Sequence, residues 1–427
     1  MALLQPAPTY YAASGHPAPR RPALAGEQRC DVCVVGGGFA GISTALNLAE
    51  RGYSVVVLED QQVGWGASGR NGAQVLAGVA ASQDKLERLI GADDARKVWD
   101  VSVEGVRLVR EQSVRLGIDC DYVAGHLLAG LKPRHDTELR GYVDELQRRY
   151  GYEGVRYVPR DEVRTLIQSR LYSSALYDPH SGHIHPLNYL RGLAAAAEQR
   201  GVQIFEGTRA LSFDGHSPVR VRTANGIVLC NQLVLCGNVY LGDTAPVLAR
   251  KIMAVGTCIV TTEPLGAARA AALITNNACV ADMNWVLDYY RRTADHRLLF
   301  GGRVSYAGFD PDRIATATRA RMLKVFPQLA GVKLDFAWGG NVDITLNRAP
   351  HFGRLSPHVY FLQGFSGHGV ALTGIAGKLV AEAIAGQSER FDVFARIPHA
   401  DFPGGMALRR PALVLAMMYY RIKDLLP

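Results

Sequence analysis

Apolar and polar positions along the first sixty residues fall into a strand, a break, a helix and a second strand. Asp31-Val-Cys-Val-Val35 is an apolar β-branched run, the pattern of a strand buried on both faces of a parallel sheet. Gly36-Gly-Gly38 interrupts it, and apolar residues then recur at helical spacing from Ile42 to Arg51. After Gly52, Ser54 to Leu58 reads as a second strand ending in Glu59. Later segments repeat the alternation. Tyr189 to Gln199 is helical, Gly201 to Phe205 and Ala210 to Asp214 are short strands, and Gln232 to Asn238 is another buried strand ending in glycine. Lys251 to Val260 and Val286 to Gly302 read as antiparallel strands broken by a turn at Ala294-Asp-His296. Val359 to Val370 feeds a glycine-rich turn and then a helix over Ala371 to Ala385.

Composition makes this a large, multi-part chain. Its 427 residues, 48% hydrophobic and 20% charged, are enough for two interleaved domains. The 47 Lys and Arg against 39 Asp and Glu favour acidic small molecules or an anionic surface, and no basic cluster interleaved with aromatics points to nucleic acid. The seven cysteines are scattered, several in apolar runs, as small buried hydrophobes of a reducing, cytoplasmic compartment would be. Cys30-x-x-Cys33 falls at a strand entry with no second such pair, so its expected role is structural. Met1 to Arg29 lacks the apolar core of a secretory signal, and no run reaches transmembrane length. The apolar helix expected after Pro411, flanked by Arg409, Arg410, Arg421 and Lys423, either docks on its own domain or touches the inner membrane peripherally.

The break after the first strand carries chemistry. Gly36, Gly38 and Gly41 form G-x-G-x-x-G between a strand and a helix, the context in which it holds a dinucleotide. The first glycine permits the turn, the second admits a pyrophosphate to the backbone, and the third lets helix and strand pack closely. Phe39, Ala40 and Gly41 open the helix, whose N-terminal N–H groups and dipole face the phosphates. Glu59 lies eighteen residues past Gly41, where a carboxylate accepts ribose hydroxyls and repels a 2′-phosphate. Val63 to Gln74 then has four glycines in twelve residues, a loop able to lay backbone N–H groups against a large planar ring.

Gly66-Ala-Ser-Gly-Arg-Asn-Gly-Ala-Gln74 resembles the loop of the glycine-oxidase and D-amino-acid-oxidase superfamily of flavoproteins, with Ala73 where a second glycine is common. The resemblance implies an α/β fold: a discontinuous Rossmann-like FAD-binding domain (30–80, 155–245 and 335–400) and an inserted mixed-sheet α+β substrate domain (81–154 and 246–334). An N-terminal extension (1–29) and a tail helix (401–427) flank them. It assigns FAD contacts to Gly36, Gly38, Phe39, Ala40, Gly41, Glu59, Gly66, Ala67, Ser68, Arg70, Asn71, Gly72, Ala73, Gln74, Gly237, Asn238, Gly367, His368, Gly369 and Val370. Relatives that tether their flavin do so through a cysteine beyond the Asn347 region; no cysteine follows Cys279, so the FAD is expected to be non-covalent.

More specific likeness comes from Tyr10-Tyr-Ala-Ala-Ser14, the GRNG loop, His183-Ile-His-Pro-Leu-Asn188, Asp288-Tyr-Tyr-Arg291, GFSGHGV and the FPGGMALRRP tail. Together they resemble the bacterial γ-glutamylputrescine oxidases, with the L-pipecolate oxidases close behind. The implied reaction is oxidation of a C–N bond in a carboxylate-bearing amine by hydride transfer to the flavin, then imine hydrolysis and H2O2 formation. Tyr289 and Arg291 are expected to hold the carboxylate, or else to alternate between core and surface with Arg291 solvated. His368 is expected beside the ring or in a hydrogen-bonded turn. His180, His183 and His185 lack supporting acids or cysteines at ligand spacing, so no metal is expected; His185 starts a helix, near the substrate. Arg297 to Arg303 contains no lysine to activate O2, which leaves a quinone acceptor at a membrane as an alternative to O2. A non-catalytic flavin-binding or RNA-modifying subunit is the remote alternative.

Overall fold

The computed structural model describes residues 8–305 and 310–403. One sheet has the spatial order His351–Ser356, Val359–Gln363, Gly226–Leu235, Gly26–Val35, Val55–Leu58, Gln203–Phe205, with Val219–Arg222 and Ser212–Phe213 extending it antiparallel. From Val359–Gln363 to Gln203–Phe205 the strands are parallel. Register sets Val34 opposite both Val57 and Val234, and the apolar runs at Val32–Val35 and Val55–Leu58 are buried because helices cover one face and the antiparallel extension lies on the other. Helix Phe39–Ala49 lies against helix Gly369–Ile384, where Ser43 Oγ donates to the Gly374 carbonyl at 2.7 Å. A methyl on Gly377 would come within 2.6 Å of the Thr44 nitrogen, so this crossing requires glycine.

The second sheet runs Leu334–Ile344, Met253–Thr262, Leu298–Ser305, Asp288–Arg292, Cys279–Asp282, Val123–Gly130, Ser174–His183, Gln74–Val75, with Arg156–Val158 beside Ser174–His183. It is mixed, because Cys279–Asp282 pairs parallel with Val123–Gly130 while the other pairings are antiparallel. Helix Pro311–Val325 covers a core in which Tyr290 stacks on Phe300 and meets Phe326 edge-on.

Sheet membership moves the expected domain boundaries. Arg156–Val158, Ser174–His183 and Leu334–Ile344, assigned from sequence to the FAD-binding domain, pair within the second sheet, and the chain rejoins the first at Gln203 and at His351. The choice of partner depends on distant segments that local pattern does not encode. Cys30 and Cys33 lie within the strand Gly26–Val35, and all seven cysteines are free thiols. No single described helix is long and apolar enough to cross a membrane, and the helix expected from Pro411 lies outside the described residues.

Candidate active site

The glycine turn sits at the C-terminal ends of the parallel strands, where open α/β sheets bind ligands. A Cβ at Gly41 would lie 1.9 Å from the Gly36 carbonyl oxygen, so no other residue permits this turn-to-helix junction. Glu59 accepts from Gly37 N–H at 2.6 Å and from Gln61 N–H at 2.9 Å, and burial holds its carboxyl above the usual range. Ser68 Oγ accepts from Phe39 N–H at 2.9 Å, so the second loop folds over the helix start. Phe39, Ala40 and Gly41 are themselves buried, with Phe39 packed on Tyr189, which leaves only their backbone to face a cofactor.

Most of the remaining residues that the sequence assigned to FAD keep at least partial exposure amid buried strands: Gly36, Gly38, Glu59, Gly66 to Ser68, Arg70 to Gly72, Gln74, Gly237, Asn238 and Gly367 to Val370. Several of their side chains hold the loop. Asn71 Nδ2 donates to the carbonyls of Ala67 and Ser68, and its Oδ1 accepts from Ala73 N–H at 2.7 Å. Arg70 donates from Nε to the Trp65 carbonyl at 2.9 Å, and Gln74 Nε2 donates to Val280 O at 2.9 Å, joining the loop to the second sheet. Ala73 takes a left-handed φ of 66°, the conformation that the commoner glycine would adopt freely. His368 donates from Nε2 to the Ala77 carbonyl at 3.0 Å and caps helix Gly369–Ile384.

On the second sheet, alternation sends Tyr290 into the core and Tyr289 and Arg291 to the opposite face. The Tyr289 ring lies over Gly72 and Gly301. Arg291 is not solvated, as one expectation had it, but 2% exposed. It donates from Nη1 to the Arg292 carbonyl at 3.1 Å and from Nη2 to Tyr11 Oη at 3.3 Å. Its Nε has no partner, and among the described residues no carboxylate lies within ion-pairing distance. His185 does start the helix Pro186–Glu198: its Nδ1 accepts from Asn188 N–H at 3.2 Å, while Nε2 meets Ser14 Oγ at 3.1 Å. Burial, with Arg291 second, pushes His183 and His185 down to about 3, so both are neutral. His180 and His183 bond the carbonyls of Glu153 and Asn277 and do not converge with His185.

Two residues absent from the sequence reading stand among these. Tyr11 is fully buried between Arg291, His185 and Trp338. Asp343, buried at the end of Leu334–Ile344, accepts the N–H groups of Gly364 and Phe365 and the Asn238 side chain, so it anchors the turn into the second cleft helix. The only sequence signal for Tyr11 was its motif; a single Asp in a strand-like run gave none for Asp343.

A glycine turn of the dinucleotide-binding kind at parallel strand ends, beside a second sheet that carries a buried cation, is the layout of a two-domain dinucleotide-dependent enzyme. Residues 31–383 match the family model described as FAD dependent oxidoreductase, and the chain belongs to that family. It is 43% identical over 417 residues to the γ-glutamylputrescine oxidoreductase of Escherichia coli K12, covering 97% of this chain and 98% of the relative. It is 24% identical over 373 residues to a glycine oxidase of Bacillus licheniformis, covering 84% of this chain and 94% of that protein. The glycine oxidase structure from Bacillus cereus superposes with a TM-score of 0.71 at 21% identity, covering 87% of this chain and 99% of that one. These relatives place the fold in the same class as the sequence reading did, and mark the chain as an enzyme.

Proposed function

We propose that the chain oxidises the C–N bond of an amine that also bears a carboxylate, with γ-glutamylputrescine as the first candidate and L-pipecolate as the second. The observation that carries this is Arg291. A buried guanidinium without an acid partner costs several kcal/mol unless an anion reaches it. Two of its five N–H donors are used within the chain, so the others, Nε included, are free for a carboxylate's two oxygens.

The cleft fits FAD. Gly41 admits the pyrophosphate turn, Glu59 offers a carboxylate to the ribose, and loop 66–74 and helix Gly369–Ile384 border the space for the ring. Bound there without a covalent link, FAD would supply the two-electron acceptor for the C–N bond, with O2 as the terminal oxidant. Arg291 and Tyr289 orient the substrate, and the buried His183 and His185, both neutral, add no further positive charge beside Arg291. Burial of the site favours the uncharged amine that gives up hydride. We place the enzyme in the cytoplasm; peripheral membrane contact and quinone reduction depend on residues 411–427, outside those described.

Anaerobic titration with γ-glutamylputrescine, L-pipecolate, sarcosine and proline tests the proposal by flavin absorbance. Bleaching by one of the first two, with recovery and H2O2 release on admitting air, is expected. No bleaching by any of them refutes amine oxidation; recovery only with a quinone analogue refutes O2. Acid precipitation should leave the flavin in solution.

A further inference from the structure

The short helix Tyr10–Ser14, in a segment read from sequence as an extension, packs between the second sheet, the cofactor loop and helix Pro186–Glu198. Thr9 caps it, with Oγ1 accepting from Ala12 N–H at 3.0 Å. Tyr10 Oη donates to Asp295 Oδ1 at 2.6 Å, in the turn of the second sheet. Tyr11 Oη donates to the Asn71 carbonyl at 2.9 Å, in the cofactor loop, and accepts from Arg291 Nη2. Its ring meets His185 at 5.2 Å and Trp338 at 5.6 Å, both edge-on, and lies 5.9 Å from the guanidinium carbon.

A phenol that accepts from one group and donates to another has a fixed hydroxyl direction. Here it is fixed by a backbone carbonyl of the cofactor loop, and it in turn fixes the plane of the Arg291 guanidinium. Buried charges without rigid partners swing among rotamers, and a misdirected fork loses the second of its two bonds to a carboxylate. We propose that Tyr11 is a specificity-determining positioning residue: it aims the Arg291 guanidinium at the substrate carboxylate and sets its distance from the cofactor loop. The proposal rests on the reading of Arg291 as the carboxylate site.

The test compares kcat/KM for two amines that differ by the carboxylate, γ-glutamylputrescine against N-(4-aminobutyryl)putrescine, with L-pipecolate against piperidine as a parallel pair. Tyr11→Phe keeps the ring and removes the hydroxyl. It should lower kcat/KM for the carboxylate-bearing amine about tenfold, through KM, and change the other less than about twofold. Tyr10→Phe should leave the ratio unchanged. Equal loss on both amines in Tyr11→Phe, or the same change of ratio in Tyr10→Phe, overturns the proposal. Arg291→Met separates the two readings. If it abolishes the preference while Tyr11→Phe retains it, Tyr11 falls and Arg291 stands; if it too retains the preference, the carboxylate reading of Arg291 falls and Tyr11 falls with it.

Discussion

Replacing Asp343 by asparagine tests whether the anchor of the cleft turn is held at an energetic cost. The carboxyl is wholly enclosed, and burial pushes it up to about 6 although Phe365 and Gly364 N–H groups and Asn238 favour the ionised form. An unfolded aspartate titrates near 3.9. Between about pH 4 and pH 6 the folded chain therefore keeps a proton that the unfolded chain has lost, and stability falls as pH rises, by about 1.4 kcal/mol per unit. The contribution is complete below pH 4 and lost above 6, about 3 kcal/mol in all. Both backbone N–H groups are accepted by the same oxygen, Oδ2, so one amide oxygen of Asn can replace it. Asp343→Asn should then gain on the wild type by about 3 kcal/mol between pH 4 and 7, or about 3 °C in the difference of melting temperatures. Taking the difference between the two proteins at each pH cancels the other titrating groups. Parallel pH curves for the two would refute the argument.

Other changes report on other parts of the structure. Gly377→Ala forces a methyl to within 2.6 Å of Thr44 N and should cost about 3 kcal/mol in urea unfolding, with loss of bound flavin because both cleft helices shift. Ala73→Gly should be neutral within about 1 kcal/mol, because relief of the left-handed strain offsets the lost methyl and the added chain entropy; a loss above about 2 kcal/mol would show no strain at Ala73. His183 is neutral when folded and charged when unfolded below about 6.5, so its stabilisation is present above that pH and lost as pH falls toward 3. His183→Gln should flatten the acid limb of the stability curve by about 1.4 kcal/mol per unit, and an unchanged slope in unfolding at pH 7, 6 and 5 would count against a buried neutral ring.

What could be read from the chain itself was local and repetitive. The run from Asp31 to Glu59 encodes its strand, turn, helix and strand within thirty residues, and Asp288-Tyr-Tyr-Arg291 put Tyr289 and Arg291 on one face by alternation alone. Burial of Arg291 was less accessible, because it is imposed by Tyr11 from almost the other end of the chain. Tyr10–Ser14 is too short to show helical periodicity, and Asp343 resembles any outward-facing residue of an alternating strand until its partners at Gly364 and Phe365 are placed. The sheet that Ser174–His183 joins was not legible either: it is set by pairing with the distant Val123–Gly130.

The hydrogen bond from Ser43 to Gly374 bears on the order in which the enzyme can be made. During synthesis the glycine turn emerges early, but Val359–Gln363, which completes the parallel row beside Gly226–Leu235, and the helix behind it come close to the end. A nascent chain halted before residue 359 has the phosphate turn without the second wall of the crevice. Until then the face of Phe39–Ala49 that Gly369–Ile384 covers in the folded chain stays open to water.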